Sequence, residues 1–167
     1  HHISVSLSGL ITITGGKWTI YRKMAQDLID KAILVGGLDE RDCVTKQLPI
    51  HGYLKNTNFE ERLYYYGTDK IQIEKLLLAS NPELNERLHP SLPYLNGEVI
   101  WAVRNEMART VEDFLARRTR ALFLDAKASI EMAPLVAEMM GTEMGKNAEW
   151  KEEQINNYTV LAGGYLL

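Results

Sequence analysis

Gly15-Gly16-Lys17-Trp18-Thr19-Ile20-Tyr21-Arg22 joins a β-patterned run, Leu10-Ile11-Thr12-Ile13-Thr14, to a helix-patterned run that continues to about Leu34. Two adjacent glycines let the chain turn sharply and let other atoms approach the backbone closely. The amides of Gly16, Lys17 and Trp18 are then expected to open a helix. That would leave N–H groups unpaired and a partial positive charge suited to an anion or a polarised carbonyl. Nowhere else in the chain do several ingredients of chemistry coincide. Upstream, Ile3, Val5 and Leu7 alternate with Ser4 and Ser6, and Ser8-Gly9 marks a turn, so residues 3–14 read as a β-hairpin. A two-stranded hairpin is marginal alone and normally leans on a larger sheet. Thr45 to Ile50 is the only other plausible strand, so the N-terminal part reads as a piece of a larger protein.

Downstream, Tyr21, Ala25, Leu28, Ile29, Ala32 and Ile33 recur at helical spacing, and Gly36-Gly37 ends the helix. Residues 38–60 are mixed, with Pro49-Ile50-His51-Gly52 as a strand end and turn. Beyond them the pattern is helical almost throughout. Phe59 to Tyr66 reads as a short helix, and Gly67-Thr68-Asp69 restarts the next, which reaches about Ala79. Asn81-Pro82-Glu83 opens a short turn, and Pro90 and Pro93 break the chain. Asn96-Gly97-Glu98 starts a helix with Val99, Ala102, Val103 and Met107 on one side. Thr110-Val111-Glu112-Asp113 resembles a capping box with Asp in place of Glu or Gln. Asp125 or Ser129 begins another helix, expected to reach Met140 with Gly141 after it; Pro134 either kinks it or occupies an early turn. Asn147 caps a last helix through Trp150, Ile155, Tyr158 and Leu161. The expected fold is mainly α: residues 1–44 form a β-hairpin, a Gly-Gly-Lys turn and a leading helix, and residues 45–167 form an all-α bundle.

The composition of the 167 residues, 46% hydrophobic and 25% charged, is that of an ordinary globular protein. A net charge of −3 and a pI near 5.8 argue against a nucleic-acid partner, whose binders carry a basic face. Arg109, Arg117, Arg118 and Arg120 cluster, but Glu106, Glu112, Asp113 and Asp125 lie among them, so the segment reads as an ion-paired helical face. Cys43 is the only cysteine, which excludes an intrachain disulfide and a cysteine metal cluster and suits a reducing compartment. The apolar runs fall far short of the roughly 20 residues that span a bilayer. A basic segment followed by an apolar one, the mark of a signal peptide, is not present behind His1-His2. The two histidines read equally as a tag remnant and as native sequence.

Gly16-Lys17 is not a nucleotide phosphate loop, because Ile11 stands where that loop needs glycine and Trp18 where it needs Ser or Thr. Nor does G-x-G-x-x-G occur, so the adenosine end of any dinucleotide would be held by residues outside this chain. His51 and His89 lie in Pro-containing loops without metal-ligand spacing and read as surface or capping histidines. Cys43, beside Asp42, has no local feature expected to lower its pKa. The methionines at 132, 139, 140 and 144 read as packing, and Glu131 and Glu138 as the wet side of their helix.

Two blocks carry a family resemblance. Ser8 to Ala25, with Gly15-Gly16-Lys17-Trp18-Thr19-Ile20-Tyr21-Arg22 at its centre, is similar to the G-G-K-W-T-T-Y-R-x-M-A signature of FAD-dependent glycerol-3-phosphate dehydrogenases and the closely similar α-glycerophosphate oxidases. Gly97 to Arg120 resembles the E-V-x-Y-A-V-R-x-E-M-A-x-T-L-E-D-x-L-x-R-R-T segment of their C-terminal part. The likeness covers nearly the whole chain. Ile20 departs from it, standing where the family has a second threonine. The resemblance implies a C-terminal fragment of a flavoenzyme that oxidises sn-glycerol 3-phosphate to dihydroxyacetone phosphate by hydride transfer to FAD. Electrons would pass on to quinone or dioxygen. It implies Gly15, Gly16, Lys17, Trp18 and Thr19 as flavin-binding residues in the intact enzyme, with Lys17 the residue nearest the chemistry. Lys17 and a helix N-terminus would stabilise the negative charge that the flavin gains. The fragment alone is expected to be inactive and to bind no flavin. Packing and ion pairing are the default role of its arginine-rich segment, with its own flavin domain, a second copy or an acidic membrane surface as the partners it could meet; the expected location is the cytoplasm or the cytoplasmic face of the inner membrane. The competing expectation is a free-standing helical interaction module whose Gly-Gly-Lys turn only caps a helix.

Overall fold

The structure, a computed structural model, describes residues 1–79 and 81–166. It divides into two compact units, His1–Tyr53 and Leu54–Leu167, so residues 45–53 fall with the first. The architecture is mainly α with one antiparallel hairpin.

In the first unit, β1 (His2–Val5) pairs with β2 (Ile11–Thr14) in the register Ile3 to Ile13 and Val5 to Ile11. The Ser8-Gly9 turn is closed by Ser6 Oγ accepting from the Leu10 amide at 3.0 Å. A 3-10 turn, Trp18–Ile20, leads into α1 (Tyr21–Gly36). Gly37 ends α1 in the left-handed region at φ 60°, and the Leu38 amide reaches back to the Ile33 carbonyl at 3.0 Å. This is the C-terminal arrangement in which glycine is favoured. The third strand expected at 45–50 is not formed: that stretch is turn and irregular chain, in which Pro49 can donate nothing to a ladder.

The second unit begins irregularly. Instead of a helix over 59–66, turns run to Leu63, a 3-10 segment covers Tyr64–Asp69, and α2 is Lys70–Ala79. The cause is Leu63, which takes φ 63° while only 1% exposed. Burying its side chain outweighs the strain of a left-handed backbone. Leu63, Ile73, Leu77, Leu95 and Trp101 form a small core.

The larger core lies among α3 (Asn96–Asn105), a π-helical segment Asp113–Arg118, α4 (Ala121–Leu124), α5 (Ala126–Met144) and α6 (Ala148–Gly163). Val99, Val103, Phe114, Leu115, Met132, Val136, Met140 and Tyr158 fill it. Three starts in this unit are fixed by side-chain caps. Thr110 and Asp113 cap reciprocally, the Asp113 amide donating to Thr110 Oγ1 at 3.1 Å and Asp113 Oδ2 accepting from the Thr110 amide at 3.0 Å. Asp125 accepts from the Ala128 amide at 2.9 Å and Asn147 from the Trp150 amide at 3.0 Å. These are the N-cap bonds expected of such residues.

Helix α5 runs past Gly141 and ends at Gly145, φ 65°. Gly141 serves packing instead: a Cβ there would lie 2.5 Å from Lys151 Cε, so its missing side chain admits the lysine stem of α6. Pro134 stands mid-helix on the exposed side of α5, so the backbone bond it removes is lost where water can reach.

Candidate functional site

The five residues singled out by sequence are brought together in one exposed turn. Gly15 and Gly16 take φ 74° and 84°, a region closed to most side chains. Lys17 is extended, and the Ile20 amide donates to its carbonyl at 3.1 Å to close the 3-10 turn. The amides of Gly16, Lys17 and Trp18 therefore precede α1 rather than form its first turn, which begins three residues later than the sequence pattern suggested. The sequence Trp18-Thr19-Ile20 holds no local signal that separates a 3-10 turn from the start of an α-helix.

Trp18 is 85% exposed, its ring stacked on Tyr21 at 5.5 Å, and Lys17 and Thr19 are exposed beside it. Gly16 sits tightly over α1, where a Cβ would lie 2.5 Å from Met24 Sδ. Arg22, on the first turn of α1, donates to Gln26 Oε1 at 3.0 Å and Thr45 Oγ1 at 3.3 Å, tying the helix to the chain beyond it. The turn thus presents backbone donors, an ammonium group and an indole face on one open surface. It holds no nucleophile and base within reach of each other.

Cys43 corrects one expectation. Hydrogen bonding to Thr45, whose hydroxyl lies 3.1 Å from its sulfur, holds the thiol below its ordinary range, and the Arg22 guanidinium acts in the same direction. His89 is a capping histidine: Nδ1 accepts from the Ser91 amide at 3.2 Å, and Nε2 lies 2.9 Å from Glu131. Among the described residues no group of His, Cys, Asp or Glu could hold a metal ion. None of the helices described is long and apolar enough to cross a membrane.

The clustered arginines do not behave alike. Arg117 pairs with Glu112 and Asp113, Arg104 with Glu143, and Arg109 donates to the Val103 and Ala108 carbonyls. Arg118 donates to the Glu106 carbonyl at 3.0 Å.

Sequence reasoning passed over Glu98, a fully buried carboxylate near the start of α3. Its Oε2 accepts from the Leu95 amide at 2.7 Å and its Oε1 from the Tyr65 hydroxyl at 2.6 Å. Burial pushes this carboxyl above the usual range, against the pull of those donors. Burial and the nearby Glu98 charge also push the Tyr65 and Tyr66 hydroxyls upward. The one sequence signal was a Glu at the third helical position, which marks a cap and says nothing of burial.

The chain is 37% identical over 175 residues to the probable mitochondrial glycerol-3-phosphate dehydrogenase of Caenorhabditis elegans, covering 93% of this chain and 24% of the relative. The mitochondrial glycerol-3-phosphate dehydrogenase of Mesocricetus auratus is 34% identical over 171 residues, with 91% and 23% covered. The probable enzyme of Dictyostelium discoideum is 33% identical over 174 residues, with 94% and 27% covered. The chain thus spans about a quarter of the length of these relatives. No solved structure matches it significantly. Residues 8–155 match the family described as the C-terminal domain of alpha-glycerophosphate oxidase, and the chain belongs to that family.

Proposed function

We propose that this chain is the C-terminal part of an FAD-dependent enzyme that oxidises sn-glycerol 3-phosphate to dihydroxyacetone phosphate. Its first unit would form one wall of the flavin site. The observation that carries this reading is the Gly15–Thr19 turn: family-like in sequence, exposed, and built from two left-handed glycines in front of a lysine and a tryptophan. Relatives of about four times the matched length carry the name glycerol-3-phosphate dehydrogenase.

The residues present fit a flavin edge. Exposed amides and an exposed ammonium suit an electron-rich carbonyl edge, and an unburied indole suits a flat ring. Gly15, Gly16, Lys17, Trp18 and Thr19 would hold the cofactor from this side. Bound there, FAD would supply two-electron chemistry at the substrate carbon. Lys17 would place positive charge where negative charge develops. The glycines would let the backbone come close, and Trp18 would exclude water from one face. The dinucleotide fold and the remaining substrate ligands would come from outside this chain, so the chain alone is expected to be inactive.

Quinone or dioxygen would accept the electrons, and peripheral membrane attachment or pairing with a second copy would belong to the whole protein. The test uses the full-length protein. A flavin absorption spectrum and glycerol 3-phosphate oxidation are expected, with Lys17→Met lowering kcat in a folded, flavin-loaded enzyme. Absence of bound flavin and of activity with any acceptor would overturn the reading.

A further inference from the structure

The helical unit contains a groove of about 810 Å³, lined by parts of the 59–65, 87–94 and 118–124 segments. Its volume lies within the range of pockets that hold small organic ligands. Phe59, Tyr64, Tyr65, Tyr94 and Phe123 supply aromatic surface, and along the lining four arginines, Arg62, Arg87, Arg118 and Arg120, stand against two carboxylates, Glu60 and Glu61.

Glu61 is already taken by Lys70. Arg118 donates to the neutral Glu106 carbonyl rather than to a carboxylate, although its charge also acts on the Glu106 carboxyl. Arg62, Arg87 and Arg120 form no ion pair among the described residues. This contrasts with Arg104 and Arg117 of the same unit, both paired with carboxylates. An excess of positive charge in a concave, aromatic-walled space is the feature to explain.

Two further observations bear on it. Arg120 takes φ 60°, a region where a Gly or Asn would sit without strain, yet the position holds an arginine. The Tyr94 ring is fixed by its hydroxyl donating to the Thr119 carbonyl, and the rings of Phe59, Tyr64 and Tyr65 meet edge to face at 5.5 and 5.4 Å. The walls are therefore arranged before any ligand arrives.

We propose that this groove binds a soluble organic anion, a phosphate or carboxylate carried on an aromatic or apolar body. Guanidinium forks match such anions through paired, charge-assisted hydrogen bonds, and the rings take the body.

Phenyl phosphate titrated calorimetrically into the 167-residue chain at low salt tests this. Saturable one-to-one binding is expected, weakened at least fivefold by Arg87→Gln and by Arg120→Gln, and unchanged by Arg104→Gln. Arg120→Gly separates binding from folding: it relieves the backbone, so the variant should melt higher and still bind weakly. Sedimentation with phosphatidylglycerol vesicles distinguishes a lipid headgroup from a free anion. No saturable binding, wild-type affinity in the Arg87 and Arg120 variants, or arginine-dependent vesicle binding without phenyl phosphate binding would each overturn the proposal.

Discussion

Glu98 carries an ionisable carboxyl into a fully enclosed position, where its oxygens accept from the Leu95 amide and the Tyr65 hydroxyl and the Tyr66 hydroxyl also bears on it. An acid held above its ordinary value binds more protons folded than unfolded, from the ordinary value of 4.5 up to the raised one. Stability must therefore fall as pH climbs through that window. Glu98→Gln deletes the titration, so urea midpoints of the variant should change less than those of the wild type between about pH 4 and pH 7. Parallel profiles for the two proteins would show that Glu98 does not titrate in the folded state. Tyr65→Phe acts on the same group by removing a donor. It should cost roughly 1–3 kcal/mol, because the buried carboxyl is left short of a hydrogen-bond partner, read from the same urea melts.

Side-chain caps mark the starts of α5, α6 and the segment after Thr110, and they are the best-forecast features of the chain. Burial raises Asp113, but the Arg109 and Thr110 amides and the Arg117 charge outweigh it and hold the group below its ordinary 3.8. The stabilisation is therefore present above the ordinary value and is lost as pH falls through the lowered one. Asp113→Ala should cost about 1–2 kcal/mol at neutral pH, with the gap to wild type closing in acid. Such caps are legible because donor, acceptor and spacing all lie within four residues. Gly141 and Gly145 were not separable that way: one admits the Lys151 stem and the other turns the chain, and that distinction depends on α6. Glu98 was hidden for the same reason, since its enclosing phenol lies far upstream in sequence. The Gly15–Thr19 turn was legible as a motif, whereas its 3-10 geometry was not. Pro134 offers the converse test. With no backbone donor in mid-helix and an exposed position, Pro134→Ala should raise the stability of the helical unit by about 1–3 kcal/mol. An unchanged thermal midpoint would mean that the stiffness proline gives the unfolded chain offsets the missing bond.

The two units differ most in what they bury. The second has two cores with residues at or near zero exposure, whereas none of residues 1–53 is buried. Leu7, Leu10, Trp18, Leu34 and Ile50 all stand in water on the first unit. A hairpin and one helix without a core cannot offset much chain entropy, so local opening of that unit should cost little free energy. Amide hydrogen exchange on the 167-residue chain is therefore expected to show strong protection in α3, α5 and α6 and near-baseline protection in β1, β2 and α1. In the full-length protein, where the reading above supplies the neighbouring strands and a flavin, the same amides of residues 1–53 should become protected. The helical unit should keep the protection it has by itself. Exchange in the 167-residue chain as slow at Ile11–Thr14 as in α5 would show that the first unit is stable without those neighbours. It would also remove the physical reason for treating the Gly15–Thr19 turn as one wall of a larger site.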